Sequence, residues 1–257
     1  MPALFRQNVR YFLIFFFIIT FFLAFELTSL ILALFGISRG RVRNAFIHSW
    51  ARLILRILNC RVAVEGPLPQ TKYVLVSNHL SYLDIVLFLS FLDVVLISKS
   101  EVRNWPLLGY IISRANTIMV DRNDRRSTLR VRGEILENLK SGNGIIFFPE
   151  GTSTNGTEVR KFYSALFSAP ADEKIPVYAC ALSYHSPEGW PAANDSVCWW
   201  DEITFMAHLY KLCRLPGFQA RVRFAGDPII TEDRKEMARL SETKVRELFI
   251  PSGTIEA

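Results

Sequence analysis

Cysteine and histidine are scarce in this 257-residue chain, with four of each. Cys60, Cys180, Cys198 and Cys213 form no Cys-x-x-Cys pair and have no histidine cluster beside them, which argues against a zinc framework. Cys180 and Cys198 sit in apolar, strand-like runs and read as buried thiols, a usage that suits a reducing compartment. No Gly-x-Ser-x-Gly elbow occurs, so a serine nucleophile presented in that way is missing. There is no internal repeat and no low-complexity linker. Charge is nearly lacking from one long stretch: Tyr11 to Ser38 (YFLIFFFIITFFLAFELTSLILALFGIS) carries only Glu26.

What is abundant is apolar and basic. Half of the residues are hydrophobic, 20 are phenylalanine, and the formal charge is +6. The mean hydropathy of +0.21 is high for a soluble enzyme. This balance favours an anionic membrane surface over nucleic acid, for which no reader module is present. As a helix, Tyr11–Ser38 would reach roughly 40 Å, enough to cross a hydrocarbon layer of roughly 30 Å. It has no small-residue cleavage site and reads as a retained membrane helix. Arg6 and Arg10 precede it, and Arg39, Arg41 and Arg43 follow. The heavier cluster places the rest of the chain on the cytoplasmic side; a re-entrant hairpin or a helix within one leaflet is the alternative. In Arg43–Cys60, an apolar stripe of Phe46, Trp50, Leu53, Ile54 and Ile57 leaves Arg52 and Arg56 to one side. That helix lies either at the membrane interface or against the remainder of the protein. Residues 1–60 are therefore expected to form an anchoring unit, and residues 61–257 a second domain.

From Arg61 the pattern changes. RVAVEG, YVLVSN, VVLISKS, NTIMVDR, GIIFFPEG, IPVYACALSY, SVCWW and ARVRFAGDPI are short apolar or β-branched runs. Charged helical segments stand at DRRSTLRVRGEILENLK and at Glu232–Phe249. Strands interleaved with helices predict an α/β fold, a central mixed β-sheet flanked by helices.

Two strand ends carry candidate chemistry. In VLVSNHLSYLDIVLF (Val74–Phe88), the strand Val74–Ser77 delivers Asn78 and His79 into a tight turn. Ser81 and Asp84 fit a capping box with Ser81 as N-cap and a helix from Tyr82. Asp84 can bend back, hold one ring nitrogen of His79 as N–H and leave the other as a base. That is half of a Ser-His-Asp triad, and the hydroxyl to be activated then belongs to a substrate. The plain alternative is a helix cap beside a polar turn residue. In IIFFPEGTSTNGT, Pro149 ends the strand and Glu150-Gly151-Thr152 turn at its carboxyl edge, where α/β sheets hold ligands. Gly151 allows close backbone approach. Glu150 accepts from a hydroxyl or pairs with a phosphate-holding arginine, or is simply solvated. TIMVDRND presents Asp121 and Arg122, and a guanidinium suits a phosphate monoester.

Taken in order, Asn78-His79-x4-Asp84, SKSEVRNWPLLGYIISRANTIMVDR, FPEGT and IPVYACAL resemble the glycerolipid acyltransferase family, in particular its bacterial 1-acylglycerol-3-phosphate acyltransferases. The likeness covers roughly Val74 to Tyr184. It implies His79 as general base and Asp84 as its orienting carboxylate. It implies that Asn78, Arg122, Glu150, Gly151 and Thr152 bind the acceptor, that Lys99 belongs to a segment before the second motif, and that Pro176 lies near the acyl path. It implies a lysophospholipid acceptor, an acyl thioester donor on coenzyme A or acyl carrier protein, contact with membrane lipid, and neither a metal nor a bound cofactor. Ser153 stands where many members carry arginine, and Tyr163 where lysine or arginine is common. VCWWDEITFMAHLYKL resembles bacterial members including some that acylate lyso-ornithine lipid, which stands as a second acceptor. A non-catalytic membrane-surface binding protein is the reading from another class.

Overall fold

The computed structural model describes residues 2–36, 40–70, 72–104, 109, 117–121 and 127–254. The strands are β1 (Cys60–Glu65), β2 (Val74–Ser77), β3 (Val94–Lys99), β4 (Ile118–Val120), β5 (Gly144–Phe147), β6 (Val177–Ser186), β7 (Phe218–Phe224) and β8 (Gly253–Thr254). They form one sheet in the order β1-β7-β6-β2-β5-β3-β4, with β8 beside β6. Among the described strands only the β6–β7 pairing is antiparallel, so the sheet is mixed, as expected.

The period of two along β6 divides the interior. Cys180, Leu182 and Tyr184 face one apolar layer, while Val177, Ala179 and Ala181 face the other. The first layer is covered by α1 (Ala3–Leu34), α2 (Gly40–Ile57) and α3 (Leu83–Leu89). The second is covered mainly by the Ser127–Lys140 and Arg234–Leu248 helices. The latter is capped by Asp233, whose carboxylate accepts from the N–H groups of Lys235 and Glu236.

The sequence left α2 with two settings, and its apolar side is packed on protein. Trp50, Ala51, Ile54, Leu55 and Leu58 are buried, and Arg52 Nε donates to Ser90 O at 2.8 Å. Helix α1 is continuous over 32 residues. One stripe of it (Gln7, Ile14, Ile18, Phe25 and Ser29) is buried, while Phe12, Leu23, Leu27 and Leu30 are exposed. Its first turns are bonded to the α/β body. Arg10 donates to Leu215 O and Pro216 O, Gln7 Nε2 donates to Tyr210 O, and Tyr210 donates to Asn8 Oδ1. The run SVCWW is not a strand. The Ala193–Ser196 helix is followed by irregular chain in which Val197 and Cys198 are buried with both N–H groups donating to Ala193 O, while Trp199 N braces the turn described next.

Candidate active site

Strand β2 pairs with β6 from Val74 to Ser77, and the main chain then turns away. Asn78 extends the ladder with its side chain. Its Nδ2 donates to Leu182 O at 2.9 Å, and its Oδ1 accepts from Leu182 N at 2.8 Å. The carboxamide thus mimics a peptide unit, and both of its polar atoms are used inside the protein. The backbone is thereby freed to lift His79 above the carboxyl end of the sheet.

Asp84 is fully buried and receives four donors. Oδ2 accepts from His79 Nδ1 at 2.7 Å, Leu80 N at 2.7 Å and Ser81 N at 3.1 Å; Oδ1 accepts from the Tyr184 hydroxyl at 2.8 Å. The expected capping box is therefore half made. Asp84 returns to the Ser81 N–H, but α3 starts at Leu83 with Tyr82 at its N-cap, and Ser81 Oγ is buried without a partner. The carboxylate satisfies the turn and the imidazole together, which leaves little for a serine cap to do.

With Nδ1–H committed to Asp84, His79 presents Nε2 as a lone-pair base. The ring is stacked on Phe148 at 4.2 Å and 16°, and its side chain is 20% exposed. No hydroxyl or thiol among the described residues is bonded to Nε2. Its backbone is held as well: Thr154 N and Oγ1 donate to His79 O at 2.9 and 3.3 Å, and Trp199 N donates to Leu80 O at 2.8 Å.

Glu150 lies beneath this turn. It is 3% exposed, with Oε2 accepting from His79 N at 3.4 Å and Oε1 from Arg160 N at 3.2 Å. Burial pushes its pKa up to about 8, against the pull of those two N–H groups. Gly151 takes a φ of +73°, the left-handed region that favours glycine, and Thr152 beside it is exposed. Lys99 ends β3 opposite Val120 of β4. Arg122 lies outside the described residues. Pro176 stands at the amino end of β6, where its carbonyl accepts from Val74 N. That is the end of the sheet opposite His79, so Pro176 does not join the cluster. Among the described residues no group of three metal-ligating side chains occurs. Tyr184, Thr154 and Trp199, all holding the His79 turn, carried no signal in the sequence.

An imidazole oriented by a carboxylate, with no nucleophile among the described residues bonded to it, has the geometry of a general base open to an external hydroxyl. Comparisons with known proteins show the family. The Acyltransferase family model matches residues 61–183. The lyso-ornithine lipid O-acyltransferase of Brucella abortus is 32% identical over 218 residues, covering 79% of this chain and 80% of that protein. The 1-acyl-sn-glycerol-3-phosphate acyltransferase of Neisseria meningitidis is 28% identical over 217 residues, covering 83% and 84%. The crystal structure of the 1-acyl-sn-glycerophosphate acyltransferase PlsC of Thermotoga maritima shares the fold with a TM-score of 0.61 at 21% identity, over 94% of this chain and 97% of that one. The chain belongs to the acyltransferase family and is an enzyme of that class.

Proposed function

We propose that this protein transfers a fatty acyl group from a thioester to the free hydroxyl of lysophosphatidate, giving phosphatidate. The observation that carries the reading is the 2.7 Å bond from His79 Nδ1 to Asp84, which leaves Nε2 open at the mouth of the sheet. Nε2 takes the proton of the acceptor hydroxyl as its oxygen attacks the thioester carbonyl. The C–O bond forms, the C–S bond breaks, and the thiolate leaves with the proton from the imidazolium. Asp84 stabilises the imidazolium between these events. No acyl-enzyme is needed, since a thiolate is a good leaving group. Asn78 and Glu150 act as positioning residues, because their polar atoms are turned onto the protein. Gly151 and Thr152 at the loop surface, with Lys99 and Arg122, are the candidates for acceptor contact.

Lyso-ornithine lipid is the second acceptor. It is favoured by the relatives of that name at 30–32% identity and by Ser153, whose hydroxyl donates to Trp199 O, where many members carry arginine. Coenzyme A and acyl carrier protein both fit the donor chemistry.

Helix α1 seats the protein on a membrane. Its amino-terminal turns are bonded to the α/β body and its later turns pack on α2, so it does not lead away from the catalytic domain. The exposed row of Phe12, Leu23, Leu27 and Leu30 suits burial in one leaflet of the bacterial inner membrane, on the cytoplasmic side.

The test is to incubate the full-length protein in detergent with acyl-coenzyme A or acyl carrier protein and each lysolipid, reading products by mass. Acylated lysophosphatidate is expected, with His79→Ala lowering turnover by about 10³-fold while the fold is kept. Undiminished turnover in that variant would remove His79 as the base; product from lyso-ornithine lipid alone would select the second acceptor.

A further inference from the structure

The side chains that hold the His79 turn bring no positive charge to it. Asp84 and Glu150 are acidic, and Tyr184 and Thr154 are neutral. The loop from Gly151 to Thr157 carries no charged residue either. Lys99 ends β3, the second strand from β2. An acceptor with an acidic head group calls for a cation beside the turn.

The segment after that loop is pinned to the carboxyl end of β5. Val159 and Phe162 are buried in the second apolar layer. Phe162 N donates to Glu242 Oε2 at 2.9 Å, and Tyr163 N donates to Pro149 O at 3.0 Å. Between these anchors Arg160 N donates to Glu150 Oε1 at 3.2 Å, while His79 N donates to Oε2 of the same group at 3.4 Å. One carboxyl group therefore spans the main chain of His79 and that of Arg160. The Arg160 side chain is exposed and has no acidic partner within ion-pair distance among the described residues. Its charge reaches the site all the same. Burial pushes the Glu150 carboxyl up to about 8 against the N–H groups of Arg160 and His79, and the Arg160 guanidinium adds to their downward pull. Lys161 is exposed as well, but neither its N–H nor its charge bears on Glu150.

In lysophosphatidate the reacting hydroxyl and the phosphate are carried by adjacent carbons, so a hydroxyl on His79 Nε2 brings the phosphate to the groups bordering this turn. We propose that Arg160 is a specificity-determining residue of the acceptor site, its guanidinium taking the acidic head group of the lysolipid while the acceptor hydroxyl stands on His79 Nε2. This deepens the acyl-transfer reading above and rests on it. A phosphate and the carboxylate of lyso-ornithine lipid both offer two oxygens to the planar fork of an arginine. The chemistry recognised is an oxyanion, and the acceptors tested tell the two sources apart.

KM is measured for the full-length protein at a fixed detergent ratio with lysophosphatidate, lyso-ornithine lipid and the uncharged 1-monoacylglycerol, the last as substrate or competitor. Arg160→Gln is expected to raise KM for the acidic acceptor about tenfold, the scale of one charge-assisted contact at a part-exposed site, with kcat held within about twofold. The constant for monoacylglycerol is expected to stay unchanged. Arg160→Lys is expected to recover part of the loss, since it keeps the charge and gives up the fork. Lys161→Gln is expected to leave every KM within about twofold, as for a solvated surface charge. The lysolipid whose KM moves is the source of the oxyanion. An equal rise for monoacylglycerol would make Arg160 structural and overturns the proposal. So does an unchanged KM for both acidic lysolipids, or a full effect in Lys161→Gln instead.

Binding is read apart from chemistry in His79→Ala protein, by calorimetric titration of each acidic lysolipid. Adding Arg160→Gln is expected to weaken one of them about tenfold. That result without turnover in the native protein would keep Arg160 and remove the acyl-transfer reading. Equal affinities with and without Arg160, beside normal turnover in the native protein, would keep the reading and remove Arg160.

Discussion

At the scale of single residues, the site is a matter of satisfied and unsatisfied polar atoms. Asp84 is shared among an imidazole, two backbone N–H groups and the Tyr184 hydroxyl, so its orientation is fixed from three directions. Removing the hydroxyl leaves one carboxylate oxygen without its buried donor. Tyr184→Phe is expected to lower kcat about tenfold, the equivalent of roughly 1.4 kcal/mol, with KM little changed; a steady-state split in the opposite sense would assign Tyr184 to substrate binding. Glu150 behaves differently. Its folded-state pKa of about 8 lies above the ordinary 4.5, so the folded protein holds this proton more tightly than the unfolded chain does. The stability it contributes is fully present below about 4.5 and is lost as pH rises through about 8. The melting temperature of the native protein should therefore fall between about pH 6 and 9 more than that of Glu150→Gln, and parallel profiles would contradict this.

At the scale of elements, what matters is how strand ends are finished. Asn78 closes the β2–β6 ladder with a carboxamide, and its loss strands the N–H and C=O of Leu182 in a dry interior. Asn78→Ala should cost about 2–4 kcal/mol in urea unfolding, together with most of the activity, because the turn that lifts His79 is no longer bracketed. The strands themselves were legible as β-branched runs, and the helices as periodic or charged ones. The exception, SVCWW, shows the limit of that reading. A short apolar run is buried whether it pairs in a ladder or braces a loop, and Trp199 N is spent on Leu80 O rather than on a neighbouring strand. Likewise the stripe on α2 was readable, but whether lipid or protein would cover it was not.

At the scale of the whole molecule, α1 is both part of the protein's packing and its apolar surface. Its buried stripe meets α2 and the Phe205–Leu212 helix, while Leu27 and Leu30 are 60% and 65% exposed. Replacing Leu27 and Leu30 with glutamate should abolish flotation with anionic vesicles and leave the melting temperature of the detergent-free protein unchanged within about 1 °C, since no packed surface is lost. Retained flotation would move the membrane contact elsewhere. The arginines before α1 illustrate a related point. Arg10 flanks the apolar run in the sequence, yet its guanidinium is bonded to the carbonyls of Leu215 and Pro216. A charge counted for topology is here used in tertiary packing.

The amino-acid sequence by itself determined the interactions that close within a few residues. His79 and Asp84 are five apart, close enough in the chain for one strand-to-helix turn to bring them together. The same holds for the Pro149–Gly151 turn and for the apolar length of α1. Only the tertiary structure decided which groups meet across the sheet: Tyr184 on Asp84, Leu182 on Asn78, Thr154 on His79, Glu150 beneath the turn and Arg10 on Leu215. Those meetings depend on strand order and register, which arise from the packing of both faces at once. Local pattern has no access to a partner 100 residues away, and the direction in which each buried polar atom is satisfied is settled only when all of its neighbours are in place.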